Sequence, residues 1–138
     1  MSKILVVDDN RDNRNILMRL LEHGGHRAKA VANGFEALEA AEDCRPDLVL
    51  MDLAMPEMDG WTATAAFKAR TELSEIPIVV VTGHVTADEI DRAQEVGCHD
   101  VVSKPIDYYV LMDKIDLHLG RRSPQPGGGL GAYASAGP

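Results

Sequence analysis

The Asp8-Asp9 pair follows directly on the apolar run Ile4-Leu5-Val6-Val7, and Asp52 follows directly on Leu48-Val49-Leu50-Met51. Thr82 closes a third run, Ile76-Pro77-Ile78-Val79-Val80-Val81, and Lys104 stands shortly after a fourth, at Val101-Val102. Carboxylates crowded together at the ends of apolar segments repel one another unless one takes up a proton or a cation compensates them. Magnesium suits such a set: it is a hard dication that prefers oxygen ligands, and no Cys/His group of the kind zinc uses accompanies these acids. Manganese meets the same oxygen donors. Asp9 and Asp52 are expected as direct ligands, with Asp8 acting directly or through water and a backbone carbonyl of the following loop, at Ala54, assisting. Asp52 stands alone at its run's end and is the nucleophile candidate, whereas Asp8 and Asp9 form a paired cation platform. The Lys104 ammonium and the Thr82 hydroxyl are the groups able to stabilise charge gathering on the oxygens of a transferred phosphoryl group.

Singly these residues say little. An aspartate leaving a strand is commonly a cap or turn former, Thr82 an ordinary strand-end residue and Lys104 a solvated lysine; their joint placement is the signal. His84 is either a loop residue facing solvent or a group beside the pocket that affects water or donor access. His23, His26, His99 and His118 are scattered and read as structural or surface groups, and Trp61, next to Gly60, reads as a packing anchor.

The elements that must position these residues repeat in one order. Lys3 to Asp8 reads as a buried strand, and Ile16, Leu17, Leu20 and Leu21 recur at helical spacing before Gly24-Gly25. His26 to Val31 is a weaker strand, followed by a helix that opens with Asn33 and Glu36 in capping-box spacing and turns Ala37, Leu38 and Ala41 inward. The run ending at Asp52 leads through the Pro- and Gly-containing loop Met55 to Gly60 into a helix burying Ala63, Ala66 and Phe67. The strand from Ile76 precedes a helix capped by Thr86 and Glu89 that presents Ile90 and Ala93. A short strand from about His99 to Val102 precedes a helix capped by Asp107, with Leu111, Ile115 and Leu119 on one face. Five strand-helix units predict an open parallel sheet covered on both sides, joined by right-handed crossovers, with the strand ends and their chemical residues on one edge.

The chain's 138 residues suffice for one such domain. Its 45% apolar and 26% charged composition is that of a folded protein, and a net charge of -8 argues against general affinity for nucleic acid or anionic membrane. No apolar run reaches the ~20 residues that cross a bilayer, and the start leads straight into a strand, so a cytoplasmic setting without membrane insertion is expected. Cys44 and Cys98 lack metal-ligand spacing and read as half-buried thiols. Gly120 to Pro138 carries Pro124, Pro126 and a Gly run with no apolar repeat, which predicts a domain over 1–119 and a flexible tail over 120–138.

Over Lys3 to Leu119 the chain resembles the receiver domain of two-component response regulators. The residues that carry the resemblance are Ile4-Leu5-Val6-Val7-Asp8-Asp9-Asn10, Leu48-Val49-Leu50-Met51-Asp52, Met55-Pro56-Glu57-Met58-Asp59-Gly60, Thr82 and Lys104-Pro105. The resemblance implies a flavodoxin-like (βα)5 sheet of order 2-1-3-4-5, with Asp52 as phosphoacceptor, Asp8 and Asp9 as the acidic metal site, Thr82 as switch hydroxyl and Lys104 as the site lysine. It implies a cis bond before Pro105, and phosphoryl donation by a histidine kinase or histidine phosphotransfer protein. It also implies a docking or homodimerisation face on the fourth helix, fifth strand and fifth helix, read by a downstream protein target. Three positions depart from the common pattern. Val101 replaces the aromatic ring that reports phosphorylation in many receivers, Ala54 offers no polar side chain to hydrolytic water, and His84 is an uncommon neighbour of the pocket. A stand-alone regulator is the first expectation, with a receiver excised from a hybrid histidine kinase as the alternative.

Overall fold

The chain alternates strand and helix because each apolar run is closed by a residue that starts the next helix. In the computed structural model, which describes residues 2–53, 60–83 and 86–120, the elements are β1 (Lys3–Val7), α1 (Arg11–His23), β2 (Arg27–Val31), α2 (Gly34–Cys44) and β3 (Leu48–Asp52), then α3 (Gly60–Ala69), β4 (Ile78–Thr82), α4 (Ala87–Val96), β5 (Asp100–Ser103) and α5 (Tyr108–Leu119). Asn10, Asn33, Thr86 and Asp107 cap α1, α2, α4 and α5, each accepting a backbone N–H of the first turn with its side chain.

All adjacent strands are parallel, in the order β2-β1-β3-β4-β5, so the flavodoxin-like (βα)5 architecture expected from sequence is the one observed. β3 and β4 are buried at every position, which is why they read as continuous apolar runs with no alternation. Their side chains nonetheless alternate between two cores. Leu5, Val7, Val49, Met51 and Ile78 pack with Ala37, Leu38, Ala63 and Phe67 on the side of α2 and α3. Ile4, Val6, Leu48, Leu50, Val79 and Val81 pack with Leu17, Leu21, Leu111 and Ile115 on the side of α1 and α5.

Some boundaries differ from the sequence reading. β4 begins at Ile78 rather than Ile76, because Pro77 has no N–H to give; its carbonyl still accepts from the Val49 amide at 2.9 Å. Ile16 is 54% exposed and Ile90 38% exposed: α1 buries Leu17 and Leu21, and α4 buries Ala93, leaving their neighbours in the apolar stripe on the rim. The tail over 121–138 and the loop residues 54–59 lie outside the described residues.

β5 is tied to α5 through one carboxylate. Asp100 Oδ1 accepts from Lys114 Nζ at 2.7 Å and from the Val101 amide at 2.8 Å, while Oδ2 lies 2.9 Å from His118 Nε2. Burial by itself raises the Asp100 carboxyl, but the bonds from His118, Lys114 and the Val101 amide outweigh it and hold the group at about 2 against an ordinary 3.8. A depressed carboxyl contributes stability above its unfolded value and loses it as pH falls through the folded one. Asp100→Asn is therefore expected to lower the urea midpoint at neutral pH. The gap between variant and wild type should narrow as pH falls from about 4 towards about 2; a gap that is constant over that range contradicts the assignment.

Candidate functional site

Register decides which strand ends meet. Val7 of β1 pairs with Met51 of β3, so the next residues, Asp8 and Asp52, stand level on neighbouring strands. The Asp8 amide continues the sheet by donating to the Val31 carbonyl at 3.1 Å. Its carboxylate Oδ1 accepts the Asn10 amide at 2.8 Å, and Asn10 in turn caps α1 by accepting from the Asn13 amide at 2.9 Å. Arg14 closes the turn by donating from a guanidinium nitrogen to the Asp8 carbonyl at 2.8 Å. The helix start thus aims Asp8.

Asp8 and Asp52 are 2% and 5% exposed, while Asp9 is on the surface. One carboxylate oxygen from each of Asp8, Asp9 and Asp52 lies within 4.8 Å of the others. Lys104 Nζ reaches Asp52 Oδ1 at 3.3 Å. Among the described residues Lys104 is an ammonium bonded to this trio of carboxylates, and a divalent cation is a further counter-charge that such a crowded set accommodates. The donor set is oxygen only, so the residues fit a hard cation such as magnesium.

Lys104 is placed by the sheet's far side. Ser103 of β5 pairs with Thr82 of β4, and the Lys104 amide donates to the Thr82 carbonyl at 2.8 Å, so β5 delivers the lysine beside the end of β4. The Lys104–Pro105 peptide is cis. Thr82 is 6% exposed. It follows Val81, which packs on the α1 and α5 side, so alternation turns Thr82 to the opposite side, toward α4. There its hydroxyl donates to Glu89 Oε1 at 3.3 Å.

The chain returns to the site at Gly60. Its amide donates to the Leu53 carbonyl at 3.1 Å. A Cβ added there would lie 2.6 Å from the Asp52 carbonyl oxygen and 2.9 Å from Leu53 Cα, so only glycine lets α3 start this close to the end of β3. Sequence reading placed Gly60 in a loop and missed this packing role; the signal was a single glycine opening a helical pattern. Asn10, Arg14 and Glu89 were also missed as groups that orient the site, because their partners are set by tertiary geometry.

Other singled-out residues fall outside the cluster. Ala54 and His84 lie outside the described residues. Val101 is half-buried on β5 opposite Val80, in a groove also lined by Ile90, Val110 and Lys114. His99 and His118 meet edge to face at 6.0 Å between ring centroids, and burial, followed by Lys68 and His118, lowers the His99 pKa. His26 is buried 3.9 Å from Asp116. Trp61 is half-buried, with the Arg92 guanidinium 4.8 Å from the ring centroid. The two cysteines are unpaired and half-buried, and burial pushes the Cys98 thiol up.

Fold and site together define a parallel α/β domain with an acidic, cation-accommodating pocket at the carboxyl edge of its sheet. Residues 4–116 match the response regulator receiver domain family, and the chain belongs to that family. It is 35% identical over 117 residues to the polar-differentiation response regulator DivK of Brucella anthropi, covering 85% of this chain and 95% of that protein. The Vibrio cholerae chemotaxis protein CheY4 superposes with a TM-score of 0.82 at 26% identity, covering 85% of this chain and 98% of that one. The receiver domain of the sensor histidine kinase PA1611 of Pseudomonas aeruginosa, whose structure has a magnesium ion coordinated in the active site cleft, superposes with a TM-score of 0.80 at 29% identity, covering 86% of this chain and 98% of that one. As a receiver, the chain is a phosphoryl acceptor of response-regulator type that signals through protein contacts. No helix among the described residues is long and apolar enough to cross a membrane.

A titration with magnesium tests the cluster. Calorimetry is expected to show one site, with affinity falling at least about ten-fold in Asp9→Asn, since even residues that only support a ligand commonly cost that much. Equal affinity in the variant would remove Asp9 from the ligand set.

Proposed function

We propose that Asp52 is the phosphoacceptor, and that it is phosphorylated by a histidine kinase or histidine phosphotransfer protein, or by a small acyl phosphate. The observation that carries this reading is the placement of Asp52: nearly buried, level with Asp8, within 4.8 Å of the acidic pair and bonded by Lys104. Asp8, Asp9 and Asp52 would hold magnesium or manganese, with the Ala54 carbonyl as a further donor. When bound, the cation neutralises the carboxylates and the incoming phosphoryl oxygens.

The chain's own groups do the rest. An Asp52 carboxylate oxygen attacks phosphorus while the bond to the donor breaks in line, leaving an acyl phosphate. Lys104, already 3.3 Å from Asp52 Oδ1, follows the charge onto a phosphoryl oxygen, and the Thr82 hydroxyl offers a second donor. Val101, His84 and Pro105 are proposed as the positions around which the switch is read. Val101 is too short to swing as a ring does, so the displacement falls on the stretch from Thr82 to Glu89 and on α4.

The receiver unit spans residues 1–119 in this reading. Its output face is formed by α4, β5 and α5, where Ile90, Tyr109 and Val110 are exposed; a downstream protein or a second phosphorylated copy docks there. The near-complete coverage of DivK and CheY4 supports a stand-alone regulator. Likeness to receivers of sensor histidine kinases, 31% identical in the Syntrophus aciditrophicus case, supports a second reading as the receiver of a larger kinase.

Incubation with acetyl phosphate and magnesium, followed by intact mass, is expected to give one phosphate adduct that is labile to base. The adduct should be lost in Asp52→Ala and should form about 10²–10³-fold more slowly in Lys104→Ala. An undiminished adduct in Asp52→Ala would overturn the assignment.

A further inference from the structure

Two helices of this chain open with the same spacing, Asn33-x-x-Glu36 and Thr86-x-x-Glu89, and they use the glutamate differently. In α2 the glutamate turns back past the cap: the Glu36 amide donates to Asn33 Oδ1 at 2.9 Å, and the Glu36 carboxylate accepts the amide of Ala32, the residue before the cap, at 2.9 Å. In α4 the Glu89 amide likewise donates to the cap, Thr86 Oγ1, at 3.1 Å. The Glu89 carboxylate instead reaches out of the helix to accept the Thr82 hydroxyl at 3.3 Å.

A threonine hydroxyl has a single proton and donates it to one acceptor at a time. Thr82 cannot give that proton to Glu89 and to a phosphoryl oxygen on Asp52 together. We propose that Glu89 is a positioning residue of the phosphoryl site: it holds the Thr82 hydroxyl toward α4 in the resting protein and competes with phosphorylated Asp52 for it. This inference rests on Asp52 as the phosphoacceptor.

Phosphorylation adds about -1.5 to -2 charge at Asp52. A more highly charged acceptor wins the Thr82 proton, and the released Glu89 carboxylate is free to turn back on its own helix start, as Glu36 does. The event at Asp52 is thereby converted into a change in the first turn of α4. Arg92, three residues on and so on the same helix face as Glu89, stacks over Trp61 next to Gly60. The face of α4 that releases Thr82 is therefore the face that also leans on the start of α3.

Glutamine serves at this cap position as well as glutamate but is a weaker, uncharged acceptor for a hydroxyl. The test is a cycle of wild type, Glu89→Gln, Thr82→Ala and the double variant. Each is titrated with beryllofluoride in magnesium and followed by backbone amide shifts near Asp52. Glu89→Gln is expected to tighten beryllofluoride binding about five-fold, as a charge-assisted bond gives way to a neutral one, and to shift the Ala87 to Ile90 amides of the free protein toward their bound positions. In the Thr82→Ala background the same substitution should change affinity by less than about two-fold. Unchanged affinity in Glu89→Gln, or an equal gain with and without the Thr82 hydroxyl, overturns the role of Glu89. Absence of binding by wild type overturns the phosphoacceptor reading itself, and this inference with it.

Discussion

Three carboxylates converge at the carboxyl edge of two adjacent parallel strands, and most of what is distinctive about the structure manages that repulsion. Asp8 and Asp52 are brought level by the β1–β3 register and are almost fully buried. Buried like charges need a counter-charge, and among the described residues Lys104 supplies part of it. Lys104 bonds Asp52, whereas Arg14 gives a guanidinium nitrogen to the Asp8 main-chain carbonyl. A dication suits that oxygen-only set of carboxylates, and the strand ends bring together the groups that a cation and a phosphoryl group would share.

The rest of the fold serves to keep that edge fixed while letting one side move. On the α1 side Asp8 is held by Asn10, which caps the helix that follows, and by Arg14 near that helix's start. At β3, Gly60 brings α3 against the Asp52 main chain with no room for a side chain. β5 is anchored by Asp100, Lys114 and His118, so Lys104 is presented from a strand locked to α5. Contacts to α4 are of a different kind: a hydroxyl–carboxylate bond from Thr82 to Glu89 and a stacked Arg92 on Trp61, both exchangeable polar contacts. Only Ala93 of α4 is buried. A helix with so little buried apolar surface is the element that a change at the site can displace at least cost.

The fold was legible because a doubly covered parallel sheet leaves an unusual trace. β1, β3 and β4 are apolar at every or nearly every position and stop abruptly at Asp8, Asp52 and Thr82. The site was legible for a topological reason, since parallel strands deliver their ends to one edge whatever their separation in sequence. What could not be read were contacts set by side-chain direction in three dimensions. The spacing Thr86-x-x-Glu89 predicts a capping box and is silent on whether the carboxylate turns back or reaches Thr82. Gly60 reads as a turn glycine until α3 is seen against β3. Asp100 opens a short strand, and nothing in its neighbourhood announces Lys114 and His118, which lie fourteen and eighteen residues away. Ile16 and Ile90 fit helical periodicity yet sit on the rim, because periodicity fixes a face and not its depth.

The claim on which everything else depends is that the buried strand-end carboxylate, and neither member of the acidic pair, becomes the acyl phosphate. Borohydride reduces an aspartyl phosphate to homoserine, which marks the position permanently. After treatment with acetyl phosphate and magnesium, borohydride trapping and peptide mass spectrometry should find homoserine at position 52 alone, and only in samples that contained the cation. Homoserine at position 8 or 9, or at position 52 without a divalent cation, would contradict the division of labour between Asp52 and the Asp8-Asp9 pair.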